Sequence, residues 1–172
     1  MIETEQQVTI AAPINAVWDF ASDIERWAAL MPGMQACEVI DPDHSRWVLK
    51  VGVGGLVRTV KVNVAVASWD GPGAVDFSYA LEGDPVRGGG TYRALATSPD
   101  ATAVILQVQV VGSGPLAPMW EAMGRPLLPQ LANAFAERLR DRIELEAGTA
   151  LLAPPRIGLL THIWVAILRI FR

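Results

Sequence analysis

The sequence contains one cysteine and two histidines among 172 residues, which restricts the chemistry that it can support. Because Cys37 has no second cysteine to pair with, an intramolecular disulfide is excluded and a reducing compartment is expected. His44 and His162 lie far apart and show no ligand spacing with Cys37, so no metal site is expected. No neighbour of Cys37 in the sequence would lower its pKa, which predicts a packed and inert thiol.

Clusters of positive charge are also scarce. The formal net charge is −4, and phosphate binding needs clustered lysine and arginine, so nucleic acid is not expected as a partner. The N-terminus carries Glu3 and Glu5 where a secretory signal would be basic, and no apolar segment follows. These features predict a cytoplasmic protein.

Apolar residues, in contrast, are abundant. They make up 51% of the chain, and the mean hydropathy of +0.29 is high for a soluble protein. Such a composition predicts either a large apolar lining inside the fold or contact with a membrane.

A long amphipathic helix is predicted over residues 127–146, where apolar residues recur at three- to four-residue spacing with charged residues mostly between them. Pro126 and Pro129 fit only the first turn of this helix or the segment before it, because proline has no backbone N–H. Gly148 suits a left-handed C-cap.

The residues before this helix predict mainly strands. Residues 3–11 alternate as a first strand, and two short helices follow, one over residues 14–20 and one that Ser22 or Asp23 can cap. About six strands, separated by turn residues, are predicted between residues 34 and 111, as in an antiparallel meander. The fold class is therefore α+β, with a curved antiparallel sheet of about seven strands wrapped around the long helix and a core or cavity between them.

Residues 112–125 are rich in glycine and proline and predict a loop that contains Met119, Trp120 and Met123. Flexible methionines beside a core helix are typical of a lid over an apolar pocket. The same side chains could equally cover the edge of the core.

Two short motifs carry a resemblance to a known superfamily. Residues 10–18, IAAPINAVW in one-letter code, are similar to the opening I-x-A-P-x-x-x-V-W of the START-like, or polyketide-cyclase-like, superfamily. Residues 23–27 and 31–33 resemble the D-x-x-x-W/L and P-G that follow it. The resemblance covers residues 3–147. It implies the helix-grip fold, in which an apolar cavity between sheet and long helix accommodates lipids, sterols, polyketides or other hydrophobic ligands.

Within this superfamily, the chain most resembles the CoxG family of carbon monoxide dehydrogenase accessory proteins. The features that carry this resemblance are the Pro-Gly at residues 32–33, the segment 88–92, the glycine break at 112–114 and the apolar tail. The resemblance implies a cytoplasmic, membrane-associated accessory protein of a molybdenum-containing CO dehydrogenase. It transfers no catalytic residue.

The chain is expected to consist of a START-like domain (1–148), a proline-containing linker (149–156) and an amphipathic tail helix (157–172). Tyr79 and Tyr92 are candidates for polar contacts with a ligand, because a buried hydroxyl needs a partner. The residues predicted to line the ligand cavity are Phe77, Tyr79, Tyr92, Leu106, Val108, Met119, Met123, Leu131 and Phe135.

The tail is too short to span a bilayer, which takes about 20 residues. At about 100° per residue its apolar side chains form one broad face with a narrow basic remainder, as in a helix that lies in the membrane interface. Its predicted membrane-binding residues are Leu160, Ile163, Trp164, Ile167, Arg169, Phe171 and Arg172. The alternatives are that a second copy of the chain covers this face, as a homodimer, or that the chain's own domain covers it.

These observations predict a non-enzymatic carrier of a hydrophobic small molecule, either a lipid or an isoprenoid quinone. We expect it at the cytoplasmic face of the inner membrane, serving a redox enzyme, with no cofactor required. The alternatives are a polyketide cyclase or dehydratase that uses the same cavity, and a ligand-free assembly factor. The predicted inward faces are almost wholly apolar, whereas acid–base catalysis needs a positioned group of tuned pKa.

Overall fold

The structure, a computed structural model, describes residues 1–53 and 55–152. Its elements in chain order are β1 (Ile2–Ile10), α1 (Ile14–Ala21), α2 (Ile24–Ala28), β2 (Met34–Val39), β3 (His44–Val53), β4 (Leu56–Asp70), β5 (Ala74–Leu81), β6 (Val86–Ser98), β7 (Ala101–Gly112) and α3 (Ala117–Leu152). The seven strands form one curved antiparallel sheet in the order β1-β7-β6-β5-β4-β3-β2. The predicted α+β helix-grip fold is therefore confirmed.

Period-two alternation decides which side of the sheet is buried. On β4, Val60, Val62, Val64 and Val66 are all buried, while the residues between them are half-buried or exposed. Neighbouring strands keep this order in register, with Trp47 opposite Val62 and Leu49 opposite Val60. One face of the sheet is thus apolar and faces inward, as antiparallel sheets allow.

Helix α3 is longer than predicted. It begins at Ala117, so the loop predicted over residues 112–125 is wrong for residues 117–125, and Pro126 and Pro129 lie inside the helix. Each interior proline removes a helix hydrogen bond, but Trp120, Met123 and Leu127 continue the inward apolar face across them. Most helical stability in a protein comes from the packing of such a face.

The predicted C-cap at Gly148 is also wrong, because the helix continues through Gly148 to Leu152. Residues 149–152 of the predicted linker therefore continue α3. The remainder of the linker and the whole predicted tail lie outside the described residues. Among the residues that the structure describes, no helix has the length and apolar character needed to cross a membrane.

Two parts of α3 have different surroundings. The C-terminal part, residues 136–147, packs into the main core, where Ala136, Leu139 and Ile143 are almost fully buried beside α1 and β7 residues. Polar contacts also fix this part: Glu144 accepts the Ala11 N–H at 2.8 Å, and Glu146 pairs with Arg26. The N-terminal part, residues 117–135, covers the other end of the sheet, where the interior is not filled.

Candidate functional site

An apolar cavity of about 230 Å³ lies between the sheet and the N-terminal part of α3. Inward side chains of β3, β4, β5 and β7 form its floor, and α3 forms its roof. Seven of the nine predicted residues lie in its lining, and two do not. The seven are Phe77, Tyr79, Leu106, Val108, Met123, Leu131 and Phe135.

The aromatic rings of β5 lie across glycines of the neighbouring strand β6. Tyr79 is paired with Gly88 and Phe77 with Gly90 in the sheet register. A Cβ atom added to Gly88 would lie 2.5 Å from the Tyr79 ring, and one added to Gly90 would lie 2.6 Å from the Phe77 ring. Neighbouring rings therefore occupy the space that side chains at Gly88 and Gly90 would need.

The hydrogen-bonding groups deep in the lining already have partners within the protein. The Tyr79 hydroxyl donates to the Gln109 carbonyl oxygen at 2.8 Å, and the Trp47 indole N–H donates to the Ser45 hydroxyl at 2.9 Å. Burial raises the pKa of Tyr79, which keeps its hydroxyl protonated as a donor. The interior of the cavity is therefore satisfied without a ligand.

Arg58 is a lining residue that the sequence interpretation missed. Its guanidinium contacts the Asp84 carboxylate at 2.8 Å, and its Cζ atom lies 5.2 Å from the centre of the Trp120 ring. A signal existed: Arg58 lies two residues before Val60, so strand alternation places it on the same inward face. This cluster links β4 to the first turns of α3 at one end of the cavity.

Comparison with known proteins identifies the family. Residues 1–144 match the family described as polyketide cyclase / dehydrase and lipid transport. The chain belongs to this family. A putative polyketide cyclase from Streptomyces cyaneus is 49% identical over 37 residues, which is 22% of this chain and 24% of that protein. The chain thus matches about a quarter of the length of this curated relative.

Solved structures show that members of this fold share the same arrangement at low identity. A conserved protein from Geobacillus kaustophilus superposes with a TM-score of 0.72 at 16% identity, covering 83% of this chain and 95% of that one. The Zhui aromatase/cyclase from Streptomyces sp. R1128 gives a TM-score of 0.61 at 19% identity, covering 83% and 93%. These similarities establish the fold.

Tyr92 and Met119 do not line the cavity. Tyr92 faces inward but lies in the filled core, where it is 6% exposed in the same cluster as Val75 and Leu106. Among the described residues its hydroxyl has no hydrogen-bond partner, and burial raises its pKa. Met119 is 46% exposed in the first turn of α3, one turn before Met123, and is not part of the lining.

The remaining predicted groups lie elsewhere. Cys37 is half-buried, and its pKa is raised first by burial and then by the Glu25 carboxylate, which disfavours the reactive thiolate. Within residues 1–53 and 55–152, no group of three or more histidine, cysteine, aspartate or glutamate side chains could hold a metal ion. The predicted membrane-binding residues lie outside the described residues: Leu160, Ile163, Trp164, Ile167, Arg169, Phe171 and Arg172.

Proposed function

We propose that the protein binds one elongated hydrophobic molecule in its cavity and carries it without changing it chemically. The observation that carries this proposal is the nature of the lining: it is apolar, and its interior hydrogen-bonding groups, Tyr79 and Trp47, have partners within the protein. Small-molecule sites are typically concave and mostly apolar. An apolar ligand gains free energy by leaving water and requires nothing further from such a lining.

The charges around the cavity favour a carrier over an enzyme. Arg58 and Tyr79 are the only ionisable side chains among the described lining residues. Arginine does not give up its proton near neutral pH, and the raised pKa of Tyr79 keeps its hydroxyl protonated, so that it is not available as a base. A carrier needs no such group, whereas a cyclase needs a group that can accept and return a proton.

The cyclase or dehydratase remains the second candidate, because the family includes such enzymes by its description and a short segment resembles a putative polyketide cyclase. In that case the substrate would occupy the same cavity and Arg58 would polarise one of its carbonyl groups. Turnover of a polyketide-like substrate, lost on replacement of Arg58, would favour this candidate over the carrier.

The cellular setting is part of the proposal. The amphipathic pattern of residues 157–172 supports docking at the cytoplasmic face of the membrane, and the CoxG resemblance supports a molybdenum CO dehydrogenase-type enzyme as the partner. An isoprenoid quinone is the cargo that would connect the two, because a soluble oxidase must pass electrons to an acceptor that is dissolved in lipid. Deletion of residues 157–172 should then abolish vesicle binding and leave ligand binding unchanged.

The proposal is tested by native mass spectrometry and lipid extraction of the full chain purified from its own host. We expect one co-purifying hydrophobic molecule per chain. Leu131→Trp, which fills the cavity from α3, should remove it. Leu95→Trp is the matched control, because Leu95 is 71% exposed on β6, and it should retain the molecule. Ligand-free wild-type protein from an extraction that preserves lipids would contradict the carrier function.

A further inference from the structure

Arg58 places a charged group at one end of an otherwise apolar cavity. Its Nη2 atom contacts both carboxylate oxygens of Asp84, at 3.0 Å and 2.8 Å. Its guanidinium also lies over the Trp120 ring, with Cζ 5.2 Å from the ring centre. Arg58 and Trp120 both line the cavity, so a bound molecule would meet this pair at that end.

Hydrogen-bond donors remain unused at this end. A guanidinium has five N–H donors and no acceptor. The hydrogen bonds of Arg58 with described residues use Nη2 alone, and its side chain is 47% exposed, so its other donors can bind water or a ligand oxygen. The Trp120 indole N–H is buried and has no acceptor among the described residues. Buried donors normally find a partner, so this end of the cavity lacks a hydrogen-bond acceptor.

The opposite situation holds deeper in the cavity. There the Tyr79 hydroxyl and the Trp47 indole N–H donate to protein oxygens. A ligand oxygen placed among these side chains would leave water without gaining a new partner, which weakens binding. The body of the ligand must therefore be free of oxygen, and a chain with a carbonyl on every second carbon does not suit this lining.

The charge balance decides which kind of acceptor the end can take. Asp84 is only 13% exposed and already neutralises Arg58. An anionic group approaching Arg58 would lose its hydration and be repelled by the Asp84 carboxylate. A neutral oxygen would accept a hydrogen bond without that repulsion.

We infer that Arg58 and Trp120 form a head-group subsite for a neutral hydrogen-bond acceptor, such as a carbonyl, ester or ether oxygen, at one end of an apolar ligand. This inference rests on the proposed function, since it defines the class of molecule that the carrier accepts. Neutral lipids and quinones belong to this class, whereas fatty-acid anions and hydrocarbons do not.

Three probes of matched chain length separate these classes: methyl dodecanoate, dodecanoate and tridecane. Their equilibrium affinities for the full chain are measured at pH 8, where dodecanoate is ionised. Methyl dodecanoate should bind about tenfold more tightly than tridecane, as expected for one charge-assisted hydrogen bond. Dodecanoate should bind no more tightly than the ester.

Variants of the pair then locate the effect. Arg58→Met keeps an unbranched apolar stem against Trp120 and should abolish the advantage of the ester while tridecane affinity changes less than twofold. Arg87→Met is the control, because Arg87 is exposed on the outward side of β6 and outside the cavity lining. It should change none of the three affinities.

Asp84→Asn keeps Arg58 and removes the balancing charge, so it should raise the affinity for dodecanoate several-fold relative to the ester. This variant tests the inference even where Arg58→Met fails to fold. Equal binding of ester and tridecane to the unmodified chain would overturn the subsite. A tenfold preference for dodecanoate would overturn its neutral character, and failure of all three probes to bind would overturn the carrier function as well.

Discussion

The hydroxyl group of Tyr79 on β5 donates a hydrogen bond to the backbone carbonyl oxygen of Gln109 on β7, 2.8 Å away. Strand β6 lies between these two strands, so the ring must cross it. It can do so because the β6 residue paired with Tyr79 is Gly88, which has no side chain to obstruct the ring. This arrangement keeps a large aromatic residue flat on the sheet and leaves the space above it open.

Substitution of Gly88 by alanine should therefore destabilise the fold. The new Cβ atom would lie 2.1 Å from the Gln109 carbonyl oxygen and 2.5 Å from the Tyr79 ring. Overpacking of this kind costs about 1–3 kcal/mol, which urea unfolding would measure as a lower midpoint at unchanged slope. Gly148→Ala is the control, because nothing lies within 4 Å of the added atom. It should be neutral or stabilise α3 by up to about 1 kcal/mol.

Tyr79→Phe should affect stability more than ligand binding. It removes the hydrogen bond to Gln109 and leaves a carbonyl oxygen without this donor, at a cost of about 1 kcal/mol. Because the hydroxyl is already used within the protein, the affinity for methyl dodecanoate should change less than twofold. A tenfold loss of affinity in a variant of unchanged stability would show instead that the hydroxyl contacts the ligand.

Two leucines on α3 should respond differently to truncation. Leu139 is 1% exposed in the filled core, so Leu139→Ala should cost about 2–5 kcal/mol. Leu131 borders a space that already exists, so Leu131→Ala should cost less than about 1.5 kcal/mol, because it loses fewer contacts with neighbouring atoms. If the two variants lose the same free energy of unfolding in urea, the interior beside Leu131 is packed and not open.

The contact between Glu146 and Arg26 predicts a dependence of stability on acid pH. Burial acts to raise the pKa of Glu146, but hydrogen bonds from Arg142 and Arg26 outweigh it, and the pKa lies below the usual 4.5. A lowered folded-state pKa stabilises the protein above the unfolded pKa, and this stabilisation is lost as the pH falls through the folded pKa.

Glu146→Gln should therefore cost less than about 1 kcal/mol at pH 7, since the pair is partly exposed. The difference from the unmodified chain should shrink as the pH falls below the usual pKa of 4.5. Glu3→Gln on the exposed side of β1 is the control and should show no such difference. If the loss of stability caused by Glu146→Gln persists in acid, the loss comes from packing and not from the ion pair.

Alternation and turn residues predicted the sheet well, because each strand has one buried and one exposed side. The predicted capping of α2 was likewise correct for Asp23, whose side chain accepts the Arg26 N–H at 3.2 Å. The start of α3 was predicted wrongly, because Pro126 and Pro129 were expected to mark the beginning of the helix, whereas packing against the sheet sustains the helix across them. Local rules describe the cost of a proline and not the contacts that offset it.

The cavity was predictable as a class of site but not in its boundaries. Tyr79 and Tyr92 both lie on inward faces, yet the first borders the cavity and the second lies in the core. Where the interior stops being filled depends on how α1, α2 and the C-terminal part of α3 pack together, which no single strand encodes. Arg58 was overlooked because the inward strand faces were expected to be almost wholly apolar.

Nuclear magnetic resonance can test directly whether a hydrophobic molecule occupies this cavity. The full chain is deuterated except for its methyl groups and is titrated with protonated methyl dodecanoate. We expect intermolecular nuclear Overhauser effects to methyl groups of Val62, Val108 and Leu131, which line the cavity, and none to Leu95 or Ile40, which are exposed. Contacts confined to the exposed methyl groups, or no contacts at saturating ligand, would contradict this expectation.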